Sequence, residues 1–166
     1  FRRVLFRSGM VETGTQIDLS FMVKAMVNGK IRECRFSDLL AGDTLISVYM
    51  RNNTGGCDRQ NAALMEVEPE LRRKGIGLIA LSRDTAASHL RYAAAKDIRY
   101  VLVSDPDDQF ARATDSLVEK SMYGRRFVGP ARAAYLVARD GTVGAVVPKV
   151  EAKDHAEQLR ALIRRV

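Results

Sequence analysis

The run Thr44-Leu45-Ile46-Ser47-Val48-Tyr49 constrains the fold more than any other part of this chain. It is apolar and β-branched, the pattern of a buried strand. A short loop with two glycines follows, and then Leu64, Val67, Glu68, Leu71 and Arg72 recur at helical spacing. Cys57 therefore sits where a strand has ended, a glycine loop turns and a helix begins. The first turn of a helix offers unpaired N–H groups and partial positive charge, which favour a thiolate over a thiol. Placement alone leaves two readings open, a reactive nucleophile and a small buried hydrophobe.

The rest of the chain alternates. Asn28-Gly29 marks a hairpin between strands at 21–27 and 31–35. Ser37-Asp38-Leu39-Leu40 reads as a capped turn. After the strand at 44–49 come a helix over 58–74 and a strand over 76–82. A helix over 86–96 follows, capped by Thr85, then a strand over 100–103. Asp105-Pro106 breaks the chain ahead of a short helix over 107–114. Strands at 133–138 and 142–147 flank the tight turn Arg139-Asp140-Gly141-Thr142, and a helix over 155–165 follows. This order predicts an α/β fold with a mixed central sheet, helices on both faces and an N-terminal hairpin extension, in one domain over 10–166.

Phe1-Arg2-Arg3-Val4-Leu5-Phe6-Arg7-Ser8 resembles a translated sequencing adapter and is read as a non-native read-through segment, with no apolar core of signal-peptide length behind it. The whole chain carries 27 Lys and Arg against 20 Asp and Glu, and without Arg2, Arg3 and Arg7 the balance is 24 against 20, or +4. The basic residues are dispersed, with Arg160, Arg164 and Arg165 in the last turns of the final helix, so no nucleic-acid partner is implied. No apolar run is long enough to span a bilayer. Two cysteines, Cys34 and Cys57, are too few for a disulfide framework, and the chain reads as cytoplasmic. His89 and His155 lack partners at ligand spacing, which implies no metal. A Cys-x-x-Cys pair and a Gly-x-Ser-x-Gly elbow are both absent, which excludes dithiol exchange and a serine hydrolase.

Thr54, Gly56 and Cys57 match the loop Pro-x-x-x-Thr-Pro-Gly-Cys-x-x-Glu, and further matches follow in order. They are the strand ending Ser82-Arg83-Asp84, Leu102-Val103-Ser104-Asp105-Pro106, Lys120-Ser121-Met122-Tyr123-Gly124-Arg125-Arg126, Gly129-Pro130-Ala131-Arg132, and Asp154-His155-Ala156. On these segments the chain resembles the Q-type peroxiredoxins, also called bacterioferritin comigratory proteins, of the AhpC/TSA superfamily. The resemblance implies a thioredoxin-like fold and a thiol-dependent peroxidase that needs no cofactor. It implies that Cys57 attacks the peroxide and becomes a sulfenic acid. It also implies that Arg132 lies beside Cys57 and that Thr54 gives its hydroxyl to the thiolate or the peroxide.

Several positions depart from that pattern. Met50 and Gly55 stand where the family has prolines, which implies a looser loop, and Gln60 stands where it has a glutamate. The resolving cysteine is missing: Ala62 occupies one family position, and the following helix carries His89 but no cysteine. Cys34 reads as a buried strand residue. The expected cycle is thus a one-cysteine cycle, with thioredoxin or a small thiol as reductant, hydrogen peroxide or an alkyl hydroperoxide as substrate, and a monomer or weak homodimer as the working unit. The alternative is a thioredoxin-like sensing or binding module that kept Cys57 and lost turnover.

Overall fold

The computed structural model describes residues 10–164; the segment read as read-through and Arg165 lie outside the described residues. The elements are β1 (Met22–Val27), β2 (Lys30–Arg35), a 3-10 turn (Phe36–Leu39), β3 (Thr44–Val48), α1 (Gly55–Arg73), β4 (Gly77–Ser82) and α2 (Ala86–Lys96). There follow β5 (Val101–Ser104), α3 (Gln109–Ala113), β6 (Leu117–Met122), β7 (Arg125–Pro130), β8 (Ala133–Val137), β9 (Val143–Val147) and α4 (His155–Ile163).

Seven strands form one sheet in the order β2-β1-β5-β4-β3-β8-β9. β3, β4 and β5 run parallel, joined through α1 and α2, while β1 joins β5 and β8 joins β3 antiparallel. Parallel neighbours need a crossover, and the two long helices supply it. The mixed sheet matches the expected fold class. α1, α2 and α4 share one apolar layer on one face, with Leu64, Val67, Leu71, Tyr92, Leu159 and Ile163 packed on Leu45, Ala80 and Leu136. The opposite face carries the 3-10 turn, α3 and the segment around Ile17 and Leu19, packed on Ile46, Ile79 and Tyr135. β3 supplies side chains to both layers and is buried at every residue, as its unbroken apolar run requires.

Local chemistry explains most boundaries. Asn28 and Gly29 both take positive φ, which the tight hairpin turn demands. Thr85 accepts the N–H of Ser88 at 3.1 Å and caps α2. Asp105 accepts the N–H groups of Gln109 and Phe110, each at 2.9 Å, and so fixes the start of α3. Two features differ from the sequence reading. α1 begins at Gly55, three residues ahead of the expected start, which puts Cys57 inside its first turn. A separate hairpin, β6 with β7, occupies a stretch given no strands, and it turns at Tyr123-Gly124 with φ of 52° and 76°.

Gly141 holds the last hairpin turn against the chain's beginning. Its φ is +91°, its carbonyl accepts the N–H of Ile17 at 2.9 Å, and a Cβ there would lie 2.6 Å from the Ile17 carbonyl oxygen. Gly141→Ala is therefore expected to lower unfolding free energy by about 1–3 kcal/mol. Urea denaturation of the variant beside the parent measures it.

Candidate active site

The parallel strands β3, β4 and β5 bring their carboxyl ends to one edge of the sheet, where open α/β folds place reactive groups. Val48 pairs with Leu81 and Ser82 with Ser104. β8 runs the other way, with Val48 opposite Ala133, so Arg132 enters at the same edge. That register, rather than nearness in sequence, brings Arg132 to the start of α1.

Cys57 lies on the stripe of α1 that includes Gln60, Asn61, Leu64 and Val67, and is buried. Thr54 occupies the N-cap position with extended backbone, and its carbonyl accepts the first helical bond from Asp58 at 2.7 Å. The N–H groups of Gly55, Gly56 and Cys57 precede that bond and lack acceptors within the helix. The Cys57 sulfur accepts the N–H of Met50 at 3.4 Å. A proline at position 50 has no N–H and could not make this bond.

Arg132 is tied to α1 at two points. Its Nη2 donates to the Gly56 carbonyl at 3.1 Å and its Nε to Gln60 Oε1 at 3.1 Å. Gln60 is buried and is itself anchored on β3, donating to Ser47 Oγ at 3.0 Å and the Val48 carbonyl at 2.9 Å. Position 60, a departure in the sequence, thus acts as the clamp that aims the guanidinium. A Cβ on Gly56 would come within 3.3 Å of Arg132 Nη1, so the glycine leaves room for the approach. The Thr54 hydroxyl donates to the Arg51 carbonyl at 3.0 Å, which leaves its lone pairs free to accept an O–H.

The loop lacks the family prolines but is pinned by Asn52. Its N–H donates to Asp84 Oδ2 at 2.9 Å, its amide donates to Ser88 Oγ and His89 Nδ1 at 3.2 Å each, and its carbonyl oxygen accepts the Tyr49 hydroxyl. Asp84 also accepts Ser82 Oγ at 2.6 Å. The Ser82-x-Asp84 step from β4 into the turn ahead of α2 therefore serves to hold the loop. His89 is buried, with Nε2 3.0 Å from the Val103 carbonyl, so Nε2 carries the proton and Nδ1 accepts.

The β6–β7 hairpin closes over this edge. Lys120 Nζ lies 2.6 Å from Met50 Sδ, and Arg83, ion-paired with Asp108, donates to the Val128 carbonyl at 3.2 Å. Sequence reasoning missed Lys120 as a site residue, because only the fold-over of the hairpin places it here. Burial is the first cause that drives its ammonium down to about 8, and the neighbouring Arg132 is the second.

A buried cysteine at the head of a helix, under an arginine from the adjoining strand of a mixed sheet, defines a thioredoxin-like thiol protein. The AhpC/TSA family model matches residues 16–146, and the chain belongs to that family. Peroxiredoxin Bcp of Xanthomonas campestris pv. campestris is 31% identical over 120 residues, covering 72% of this chain and 75% of that protein. Peroxiredoxin Bcp of Escherichia coli is 25% identical over 123 residues, covering 74% and 79%. A structure of Xanthomonas campestris peroxiredoxin Q superimposes with a TM-score of 0.78 at 25% identity, over 90% of this chain and 94% of that one. The bacterioferritin comigratory protein of the same organism, studied for alkyl peroxide reduction, gives 0.78 at 24% identity, over 90% and 96%.

Burial holds both His89 and His155 below the ordinary histidine value. The unfolded chain then binds more protons than the folded one as pH falls below about 6.5, so stability is lost on acidification. The urea midpoint should drop between pH 7.5 and 5, and His89→Gln should narrow that drop.

Proposed function

We propose that this peroxiredoxin reduces hydrogen peroxide and alkyl hydroperoxides at Cys57, with Arg132 and the first-turn N–H groups of α1 stabilising the charge that develops. The observation that carries the reading is the double anchorage of Arg132 to Gly56 and Gln60, one on each side of Cys57. The thiolate attacks the terminal peroxide oxygen, and the sulfenic acid that forms stays on Cys57. A guanidinium and backbone donors fixed before the reaction need no reorganisation at the transition state. Thr54 sits at the mouth of the same turn, where its hydroxyl can accept from the peroxide.

An external thiol, thioredoxin or a small one, completes the cycle. Cys34 lies on β2, and β1, β5 and β4 separate that strand from β3. Four strand spacings amount to roughly 19 Å, against the ~7 Å that a disulfide tolerates between Cα atoms. Burial raises the Cys34 thiol, which further suits it to an inert strand role. Position 62, exposed on α1, is an alanine and offers no thiol to Cys57. A reducing cytoplasm supplies such thiols, and among the described residues no helix is long and apolar enough to cross a membrane.

Cys57→Ser should abolish peroxide consumption, and Cys34→Ser should retain most of it. Consumption at the parent rate by Cys57→Ser would remove Cys57 from the chemistry. Arg132→Ala should slow sulfenic acid formation about a hundredfold or more while the folded state persists. Stoichiometric peroxide should yield a sulfenic acid or mixed disulfide at Cys57 by peptide mapping. A Cys34–Cys57 peptide as main product would make Cys34 the resolving thiol.

A further inference from the structure

Reduction of a peroxide leaves an oxygen that needs a proton, and the groups that hold Cys57 are poor sources of one. A guanidinium is a donor of hydrogen bonds rather than of protons, and the Thr54 hydroxyl donates to Arg51. The geometry points to Lys120 as the general acid of the peroxidase reaction, its ammonium giving a proton to the departing oxygen as Cys57 attacks. This rests on the assignment of Cys57 as the peroxidatic residue.

Three observations place Lys120 there. Its Nζ rests 2.6 Å from the Met50 thioether, and the N–H of the same Met50 binds the Cys57 sulfur at 3.4 Å. One residue thus bridges the amine and the nucleophile. Its stem passes beside Gly129, where a Cβ would meet Lys120 Cδ at 3.7 Å and Arg83 Nη2 at 3.7 Å, so the Lys120 stem and the Arg83 guanidinium run side by side along β7. The ammonium rests on sulfur rather than on a carboxylate, while the nearby Asp108 takes Arg83 in a two-point ion pair.

The charged groups around Lys120 set its proton affinity. Burial lowers it most, Arg132 lowers it next, the Cys57 thiolate raises it, Arg83 lowers it and Asp108 raises it, with a value of about 8. An acid near the working pH is both protonated and willing to give the proton up. In the step, a sulfur lone pair of Cys57 bonds to the terminal oxygen and the O–O bond breaks with its electron pair on the other oxygen. Sulfur is oxidised by two electrons to S–OH, and the peroxide is reduced. The Nζ proton passes to the alkoxide to give the alcohol, and the neutral amine recovers a proton from water.

The test compares two oxidants in single-turnover quenched flow, with intact mass reading Cys57 oxidation. The tert-butyl hydroperoxide leaving group is a strongly basic alkoxide, whereas peracetic acid expels acetate, which needs no proton. Lys120→Met should slow the first about a hundredfold and the second less than about threefold. Lys120→Arg keeps the charge but holds its proton, and should behave like Lys120→Met. With tert-butyl hydroperoxide the parent rate should fall as pH rises through about 8, and that limb should vanish in both variants. Equal slowing of both oxidants would overturn the proposal in favour of plain charge stabilisation, and unchanged rates would overturn it outright. The fold lowers the proton affinity of Lys120, so the charged form opposes folding below that value and Lys120→Met should melt no lower at pH 7. Oxidation of Cys57→Ser at the parent rate would instead sink the underlying assignment of Cys57.

Discussion

The pairing of Val48 with Ala133 fixes everything at the reactive edge. β3 delivers the chain into the loop that leads to Cys57 in the first turn of α1, and β8 begins directly after Arg132. Both strands are buried at every residue, so their register is locked from both faces. A slip by one residue would turn Tyr135 out of one apolar layer and Leu136 out of the other. It would also displace the guanidinium by about one residue of strand rise, roughly 3.3 Å, more than a hydrogen bond to Gly56 tolerates. Function here is held by the core, through a register that the core specifies.

The loop between β3 and α1 shows how a chain restrains the approach to a buried cysteine without proline. Proline stiffens a turn by fixing φ and surrenders its N–H in doing so. This loop keeps the N–H of Met50 and spends it on the Cys57 sulfur. Restraint comes instead from Asn52, which satisfies its polar atoms on the turn after β4, on α2 and on Tyr49. Buried polar groups that are fully paired rigidify their surroundings, whereas each unpaired one is costly. The expectation of a looser loop came from counting the missing prolines, which says nothing of what pins Asn52.

The legible parts of the sequence were those with local signals. The apolar run of β3, the Asn28-Gly29 turn and the Thr85 cap each carry their structure within a few residues. The start of α1 was less legible, because Gly55 and Gly56 read as loop while the helix takes them into its first turn. β6 and β7 escaped because Val118, Glu119, Lys120 and Ser121 show no clean alternation, and their hairpin is a separate two-stranded sheet outside the main core. Cys57, Thr54 and Arg132 were named through resemblance, and the fold brings Cys57 and Arg132 to one helix turn. Gln60 and Lys120 needed tertiary structure: their roles depend on β3 behind α1 and on a hairpin folded over it.

These two residues are coupled through Arg132. Gln60 holds the guanidinium by a hydrogen bond and contributes no charge of its own to offset the positive field of Arg132. That field is the second cause, after burial, of the weakened proton affinity of Lys120. A glutamate at position 60 could make the same contact, yet its carboxylate would offset Arg132 and raise the affinity of the amine behind it. The neutral clamp therefore leaves two cations beside one sulfur. One of them is a guanidinium, which does not act as a proton donor, and the other sits close to the point where it lets its proton go. In the proposed reaction such a site divides the labour: Arg132 would supply fixed charge for the sulfur and the peroxide, and Lys120 a movable proton for the oxygen that leaves.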